Sequence, residues 1–286
     1  MQVEKQAQLA ESAKPTIGTL VDDINNVLLE KVDADTLEKH LPEALMGLKE
    51  LLQRRLVKGV EERNDALRMS NLGKPCRRQL WYLTNGYKQD ELSPATLYKF
   101  LYGDIIEWLT LLLARVSGHH VTAEQQTVNI QGVPGHIDAI IDGHLVDVKS
   151  ANSRSFDKFK YHKLETEDPF GYISQISTYA YALGKDEASF LAVDKELGNM
   201  VLDTYKLPAK DWDTEVNSIK NDMESPEPPP RCFEPVPHNK SGNMQLALEC
   251  RYCPVKQHCY NFDTYLYSSG PVFMTKVVKE PEVPKV

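Results

Sequence analysis

Apolar and polar residues recur along the chain with periods that predict a succession of helices and strands. Residues 17–56 have apolar positions at helical spacing, and we interpret them as an N-terminal helical appendage in which Pro42 suits a first helical turn. Ser93-Pro94 has the form of an N-cap followed by proline, and the helix that it opens should end near Gly118. The polar residues 1–15 are expected to be disordered.

The middle of the chain predicts strands. Extended segments are expected at residues 121–130, 135–141 and 145–149, with a hairpin turn at Asp142-Gly143. Asp168-Pro169 predicts the start of a helix that reaches about Leu183 and ends at Gly184. Further elements are two strands at 189–193 and 200–205 and a helix at about 212–223. The order of one helix, three strands, a helix and a strand predicts an α/β core with helices packed on a mixed sheet.

These elements divide the chain into three regions. Residues 1–65 form the N-terminal helical region, 66–270 the main domain, and 271–286 a flexible tail. The run SPEPPP at 225–230 predicts a stiff extended connector before the cysteine-rich segment.

Composition narrows the class of protein. The chain has 286 residues, of which 41% are hydrophobic and 26% charged, as is ordinary for a globular protein. Its start lacks the apolar core of a signal peptide, and its longest mainly apolar run, 108–114, is too short to cross a bilayer. We therefore expect a soluble cytoplasmic protein without a membrane partner. The sequence contains neither a phosphate loop nor a GxGxxG turn, which argues against a nucleotide motor or a dinucleotide-dependent enzyme.

Two acids and a lysine surround the predicted hairpin turn. Side chains at i and i+2 of a strand share a face, so Asp147 and Lys149 should project together while Val146 and Val148 face the other way. Counting outward from the turn brings Asp138 close to Asp147, although the sequence does not fix the register.

Carboxylates gathered in this way suit Mg²⁺ or Mn²⁺, which bind oxygen ligands and retain several waters. A lysine beside a metal-bound water can orient it or stabilise a charged transition state. Glu107 on the preceding helix is a candidate third acid. The alternative is an ordinary ion pair in a half-buried hairpin, although aspartate is uncommon within strands. His119, His120, His136 and His144 are interpreted as surface residues or supports of the site rather than as a metal site of their own.

Five cysteines suggest a second metal site. Their odd number in a chain without a secretion signal is not typical of a disulfide framework. The spacing Cys250-x2-Cys253-x5-Cys259 places three thiols in one short segment. Cys76 and Cys232 are the candidates for a fourth ligand, and zinc is one of the metals that such a site could bind.

The order Gly135-x-x-Asp138, Asp147-x-Lys149 and Gln175-x-x-x-Tyr179 resembles the RecB-type branch of the PD-(D/E)XK nucleases. The resemblance implies a restriction-endonuclease-like αβββαβ core. It also implies that Asp138, Asp147 and the carbonyl of Val148 bind the metal, that Lys149 assists the attacking water, and that Gln175 and Tyr179 stabilise the site and contact DNA. Two positions depart from the pattern: Ile137 replaces the proline of the superfamily's name, and Glu107 stands where several iron–sulfur relatives have histidine.

The cysteines resemble those of iron–sulfur nucleases such as the AddB nuclease domain and the CRISPR-adaptation nucleases, which have one cysteine before the catalytic core and three after it. The resemblance implies a [4Fe–4S] cluster that acts as a structural staple, with Zn²⁺ as the alternative. Its ligands would be Cys76, Cys250, Cys253 and Cys259, and Cys232 would remain a free thiol.

The function implied is that of a metal-dependent DNA exonuclease that acts on single strands or DNA ends in recombination, repair or replication. Its setting would be a bacterial or phage-infected cell, with recombination, replication or CRISPR-adaptation proteins as partners. The alternatives are an endonuclease or junction resolvase of the same fold, and a zinc-stapled DNA-binding protein without activity.

The net charge of −8 counts mildly against nucleic acid binding. A nuclease nevertheless gathers acids at its metal site and needs only local basic patches. Such patches include Arg54, Arg55 and Lys58; Lys74, Arg77 and Arg78; and Lys149, Arg154, Lys158, Lys160 and Lys163. We expect Arg77, Arg78, Arg154, Lys158 and Lys160 to contact DNA, although each patch is also compatible with a solvated surface.

Overall fold

The computed structural model describes residues 15–57 and 67–286. The helices are α1 (Leu20–Glu30), α2 (Ala34–Leu56), α3 (Met69–Leu72), α4 (Arg77–Thr84), α5 (Pro94–Val116), α6 (Ser153–Lys160), α7 (Tyr172–Ala182), α8 (Trp212–Met223), α9 (Leu248–Arg251) and α10 (Lys256–Cys259). The strands are β1 (Val121–Thr122), β2 (Thr127–Ile130), β3 (Val133–His136), β4 (Ala139–Ile141), β5 (His144–Ala151), β6 (Glu187–Asp194), β7 (Met200–Lys206), β8 (Val236–His238), β9 (Asn243–Gln245), β10 (Asp263–Tyr267) and β11 (Gly270–Lys276).

The central sheet has the strand order β1-β4-β5-β6-β7. Strands β5 and β6 are parallel, and the other pairs are antiparallel. A parallel pair needs a crossover connection, which α6 and α7 provide here. The predicted α/β core with a mixed sheet is therefore confirmed.

The hairpin between β4 and β5 turns at Asp142-Gly143, as the sequence predicts. Both residues have positive φ, 50° and 84°, which a two-residue hairpin of the favoured handedness requires. The register pairs Ala139 with Val146 and Ile141 with His144. Residues 138 and 147 therefore lie opposite each other, one position beyond the last paired residues.

Helices cover both faces of this sheet. Val146 and Val148 of β5 pack on one face against Leu20 of α1 and Leu111 of α5. Leu145 of β5 belongs to the larger core on the other face. That core also contains Phe156, Phe159, Ile176, Phe190 and Trp212. The alternation of β5 places Asp147 and Lys149 on the same side as Leu145, as predicted.

The N-terminal helices are confirmed, but the role expected for Pro42 is wrong. Helix α2 begins at Ala34 because Asp33 caps it, its carboxylate accepting a hydrogen bond from the Thr36 amide at 2.7 Å. Pro42 therefore lies inside the helix. The predicted disorder of residues 1–14, the boundary near residue 65 and the basic residue Lys58 fall outside the described ranges.

His119 is not a surface residue. Its imidazole is buried between two carboxylates, with Nδ1 at 2.6 Å from Asp142 and Nε2 at 3.2 Å from Asp23. It therefore connects α1 to the turn of the β4–β5 hairpin.

Several element boundaries differ from those predicted. Helix α7 begins at Tyr172 rather than at Asp168, because Gly171 adopts a left-handed conformation and Asp168 turns back to accept a hydrogen bond from the Ile173 amide. The expected strand at 121–130 is split into β1 and β2, and the one at 135–141 is interrupted at 137–138. Helices α3, α4, α6, α9 and α10 and strands β8, β9 and β10 were not predicted from the sequence.

The expected flexible tail from residue 271 is also wrong. Strand β11 pairs with β10 and β9 in a four-stranded antiparallel sheet with the order β10-β11-β9-β8. Beyond it, the amides of Leu266 and Val286 donate to the carbonyls of Pro284 and Thr264. No helix within the described ranges combines the length and apolar character needed to cross a membrane.

Candidate active site

Strand β5 carries the centre of the site. Asp147 is only 3% exposed, and its Oδ2 atom lies 2.6 Å from the Nζ atom of Lys149. Its apolar neighbours Val146 and Val148 are buried as well, so the carboxylate is placed there at a cost in desolvation. The pair is the Asp-x-Lys element that the sequence predicted.

Asp138 reaches the same place from the other arm of the hairpin. It lies in the interruption between β3 and β4, and its Oδ2 atom accepts a hydrogen bond from the Val148 amide at 2.8 Å. This bond fixes the carboxylate beside the backbone between Asp147 and Lys149. The expected proximity of Asp138 and Asp147 is thus confirmed, while a role for the Val148 carbonyl stays a prediction.

Glu107 approaches from α5 and is the third acid of the cluster. Burial raises its pKa to about 7, and the nearby carboxylates of Asp147 and Asp104 contribute to the rise. Burial likewise raises the pKa of Asp138, followed by the charges of Asp147 and Glu107. The Gln125 amide donates to Glu107 Oε1 at 2.8 Å. The acids therefore repel one another in a poorly solvated place, which a bound cation would relieve.

Lys149 is held in its charged form. Burial acts to lower the pKa of its ammonium, but the carboxylates of Asp147 and Asp138 outweigh burial, so the pKa is raised overall. Its Nζ atom also lies 5.1 Å from the ring centroid of Tyr172. A cation held between a carboxylate and an aromatic face is oriented as well as charged.

Helix α7 closes the site. Tyr179 is 4% exposed, and burial raises the pKa of its hydroxyl to about 12 even though a hydrogen bond with the Gln175 side chain lowers it. The negative charges of Asp147 and Asp138 also raise this pKa. The structure therefore places the Tyr179 hydroxyl within the influence of the acids and Gln175 beside that hydroxyl. Tyr172 was missed, although its place seven residues before Tyr179 puts it on the same helical face.

The acids fit a divalent cation in their chemistry. Oδ2 of Asp147 is buried and has no aligned hydrogen-bond partner among the described residues, although it contacts Lys149. Within residues 15–57 and 67–286, no group of three or more His, Cys, Asp or Glu side chains is arranged to hold a metal ion as it stands. Mg²⁺ needs only one or two carboxylates besides water, which Asp138 and Asp147 can provide.

The basic residues expected to contact DNA differ in their surroundings. Arg77 forms ion pairs with Glu215 and Asp222, and Arg78 donates to the carbonyl of Pro229 at 2.7 Å. These contacts anchor α4 within the molecule and count against a role in strand binding for both arginines. Arg154, Lys158 and Lys160 lie on α6, which directly follows the strand of Lys149, and their contact with DNA stays a prediction.

The structure also gathers the cysteines. Cys76, Cys250, Cys253 and Cys259 line one cavity of about 130 Å³, although Cys76 is more than a hundred residues from the other three in sequence. Burial raises the pKa of the Cys76 thiol to about 12, and Cys232, within hydrogen-bonding reach, adds to the rise. Burial and then Cys253 and Cys259 raise the pKa of Cys250 to about 12. Cys232 is therefore a neighbour of the four, not a remote thiol.

No family model matches the sequence, and no curated protein matches it. Solved structures that are similar in fold include the following three. An alkaline exonuclease from Laribacter hongkongensis has 19% identity and a TM-score of 0.42, covering 57% of this chain and 89% of its own. The protein SSO0001 has 15% identity and a TM-score of 0.41, covering 74% and 95%. A phage-related exonuclease from Haemophilus somnus 129PT has 14% identity and a TM-score of 0.41, covering 55% and 89%. Similarity of this degree assigns neither a family nor an activity to the chain.

Proposed function

We propose that the protein is a metal-dependent deoxyribonuclease of the PD-(D/E)XK type that shortens DNA from its ends. One observation carries the proposal: Asp138, Asp147 and Glu107 converge with the charged Lys149 on one buried position of a mixed sheet. A structural ion pair needs one acid for one lysine. Three acids around a single ammonium leave an excess of negative charge, which a bound metal cation would neutralise.

Each side chain has a role in this proposal. Asp138 and Asp147 would hold Mg²⁺ or Mn²⁺, and Glu107 would bind it directly or through water. The bound ion would supply an activated water and stabilise charge on the phosphoryl oxygens. Lys149, already charged, can donate a hydrogen bond to the attacking water or to a non-bridging phosphate oxygen. Gln175 and Tyr179 would stabilise the site on the side of α7 and contact the DNA strand there.

Cleavage of end-labelled linear DNA and of circular DNA tests the proposal. Linear DNA should be shortened when Mg²⁺ or Mn²⁺ is present, and chelation should stop the reaction. Covalently closed circles should remain intact if the enzyme needs an end, whereas nicking of circles would favour the endonuclease or resolvase alternative. Absence of cleavage under all these conditions would leave a DNA-binding protein without activity.

Two substitutions sharpen this test. Asp147→Asn and Lys149→Gln should each lower the cleavage rate by roughly 10²–10³-fold, because each removes a charge that acts on the reacting phosphate. Asp35→Asn makes the same chemical change as the first at an exposed position of α2 and should leave the rate unaltered. Equal rates in all three variants would contradict the assigned site.

The cysteine cavity forms the second part of the proposal. Cys76 precedes the sheet and the other three follow it, so one cluster bound to all four would connect the two ends of the domain. Four thiolates suit a [4Fe–4S] cluster, with Zn²⁺ as the alternative. The cavity that they line supports this assignment, although the described side chains are not arranged as a closed ligand set.

A further inference from the structure

A second cavity, of about 160 Å³, opens beside Lys149 at the carboxyl end of β5. It is lined by the end of β5, by α6, by the loop between α6 and α7, and by the first residue after β6. Lys149 belongs both to this cavity and to the acid cluster. Whatever occupies the cavity therefore lies next to the position where the phosphodiester bond would be cut. We call it the lysine pocket because Lys149, Lys158 and Lys195 line it.

Lys195 has no assigned role and is held firmly at the rim. Its amide donates to the carbonyl of Ala151 at 2.9 Å. The following residue, Glu196, accepts a hydrogen bond from the Ser153 hydroxyl at 2.7 Å, which ties this turn to the start of α6. Within the described residues, the Lys195 ammonium has no ion-pair or hydrogen-bond partner. Lys158 uses one donor on the carbonyl of Glu167 at 2.9 Å and has two left.

Aromatic rings lead outward from Lys149 along the wall of the pocket. Lys149 lies over Tyr172, and the rings of Tyr172 and Phe170 are 5.8 Å apart at an angle of 37°. Phe170 is 55% exposed. The neighbouring Gly171 has φ 76°, and a Cβ atom there would lie 2.9 Å from the carbonyl oxygen of Gly73, so the backbone that presents Phe170 is closely confined. An exposed ring at a fixed position is a surface on which an unpaired base can stack.

Two acids also line the pocket, which excludes a purely anionic ligand as its best occupant. Glu167 and Asp168 line the same pocket as the three lysines and offset part of their positive charge. Oδ2 of Asp168 accepts from the Ile173 amide at 2.9 Å, whereas its Oδ1 is buried without a partner among the described residues. A ligand with a phosphate for the lysines, an aromatic ring for Phe170 and an amino or hydroxyl donor for Asp168 fits this lining. A nucleotide has all three.

We infer that the lysine pocket holds the unpaired nucleotide next to the scissile phosphodiester. Lys195, with Lys158, binds its phosphate, and Phe170 stacks on its base. The inference rests on the proposed nuclease function and names its substrate class. A base within a duplex has both faces covered by its neighbours, so the pocket selects single-stranded DNA or an unpaired end.

Binding of a short, fluorescently labelled oligothymidylate to the full-length protein tests the inference, with Ca²⁺ in place of Mg²⁺ so that the strand stays intact. Phe170→Leu should weaken binding roughly tenfold, and Phe170→Trp should retain it, because tryptophan keeps an aromatic face. Lys195→Gln should reduce the slope of log affinity against log salt by about 0.7, the value for one phosphate contact on a single strand. The matched control, Lys240→Gln, changes an exposed lysine of the β8–β9 turn that does not line the pocket and should have no effect.

Blunt duplex of the same length and a parallel sample with Mg²⁺ separate the outcomes. Wild-type affinity and salt slope in both Phe170→Leu and Lys195→Gln overturn the pocket, as does failure of the wild type to bind the single strand. An equal loss on the blunt duplex also overturns it. Selective loss on the single strand, in a protein that never cleaves with Mg²⁺, supports the pocket and defeats the proposed function. Cleavage by the wild type, together with unchanged binding by the two variants, supports the proposed function and contradicts the pocket.

Discussion

At the scale of single residues, the site is defined by charges that the fold forces together. Asp147 and Lys149 lie 2.6 Å apart, and Asp138 is tied to the Val148 amide. The excess of carboxylates means that the cluster is strained electrostatically until a cation binds. The same excess has a measurable consequence for the stability of the protein.

Glu107 should make the metal-free protein less stable as the pH rises. Its pKa is raised from 4.5 to about 7, by burial first and then by Asp147 and Asp104. The folded protein therefore binds more protons than the unfolded chain between those values, so the free energy of unfolding falls as the pH rises through this window. Urea unfolding in chelator at pH 5 and pH 7.5 should show a smaller fall in Glu107→Gln than in the wild type.

Mg²⁺ at the higher pH should restore part of the lost stability, because it binds the folded state. Glu91→Gln, at an exposed position, serves as the control and should keep the pH dependence of the wild type. The same pH dependence in wild type and Glu107→Gln would show that Glu107 is not in the strained cluster.

At the scale of elements, the site depends on how closely α7 and α3 approach the β2–β3 hairpin. A Cβ atom at Gly135 would lie 2.7 Å from both Met69 Cβ and Tyr179 Cε1. The glycine of the Gly-x-x-Asp element is thus required by packing rather than by a turn. It lets Tyr179 stand against the strand that leads to Asp138.

Gly135→Ala should destabilise the protein by about 1–3 kcal/mol, because the core has no room for the added methyl group. It should also slow cleavage, since Tyr179 must move. Chemical denaturation and the cleavage assay measure the two effects. Gly47→Ala is the matched control: nothing lies within 4 Å of its Cβ position inside α2, and the change should stabilise by about 0.5–1 kcal/mol. A neutral or stabilising Gly135→Ala would contradict this account of the motif.

At the scale of the whole molecule, segments far apart in sequence meet around the cysteine cavity. Arg77 and Arg78 anchor α4 to α8 and to the proline-rich connector, and Tyr82 donates to the carbonyl of His258 at 2.9 Å. Cys76, at the start of α4, then meets the three cysteines that follow the main sheet. A metal bound there would stabilise the closed domain as a unit.

Cys76→Ser should remove most of the bound iron, or zinc, and lower the midpoint of thermal unfolding by roughly 5–10 °C, because one of the four ligands is lost. Cys232→Ser is the matched control and should keep both the bound metal and the wild-type unfolding midpoint. Elemental analysis, acid-labile sulfide and visible absorption of protein purified without oxygen distinguish a cluster from zinc. Loss of the metal in Cys232→Ser but not in Cys76→Ser would make Cys232 the fourth ligand. Absence of metal from the wild type and both variants would refute the proposed metal site.

The sequence by itself determined the local parts of this protein. The capped helix at Ser93, the Asp142-Gly143 turn and the alternation of β5 depend on neighbouring residues, so the pairing of Asp138 with Asp147 could be counted from the turn. The motif spacing also named the acids, the lysine and the cysteines that the structure gathers. By contrast, Pro42 was wrongly predicted to lie in the first turn of a helix. Asp33 caps the helix earlier, and whether its side chain does so depends on the backbone geometry at that position.

Only the tertiary structure decided what depends on contacts between distant segments. Arg77 and Arg78 look like a basic patch in sequence, but partners on α8 and the connector occupy them. The tail was predicted to be loose because chain ends are poorly ordered unless other segments hold them, and β11 gains its hydrogen bonds from β9 and β10. Phe170, Tyr172 and Lys195 line one pocket with Lys149 for the same reason: the crossover connection and the residue after β6 both reach the end of β5.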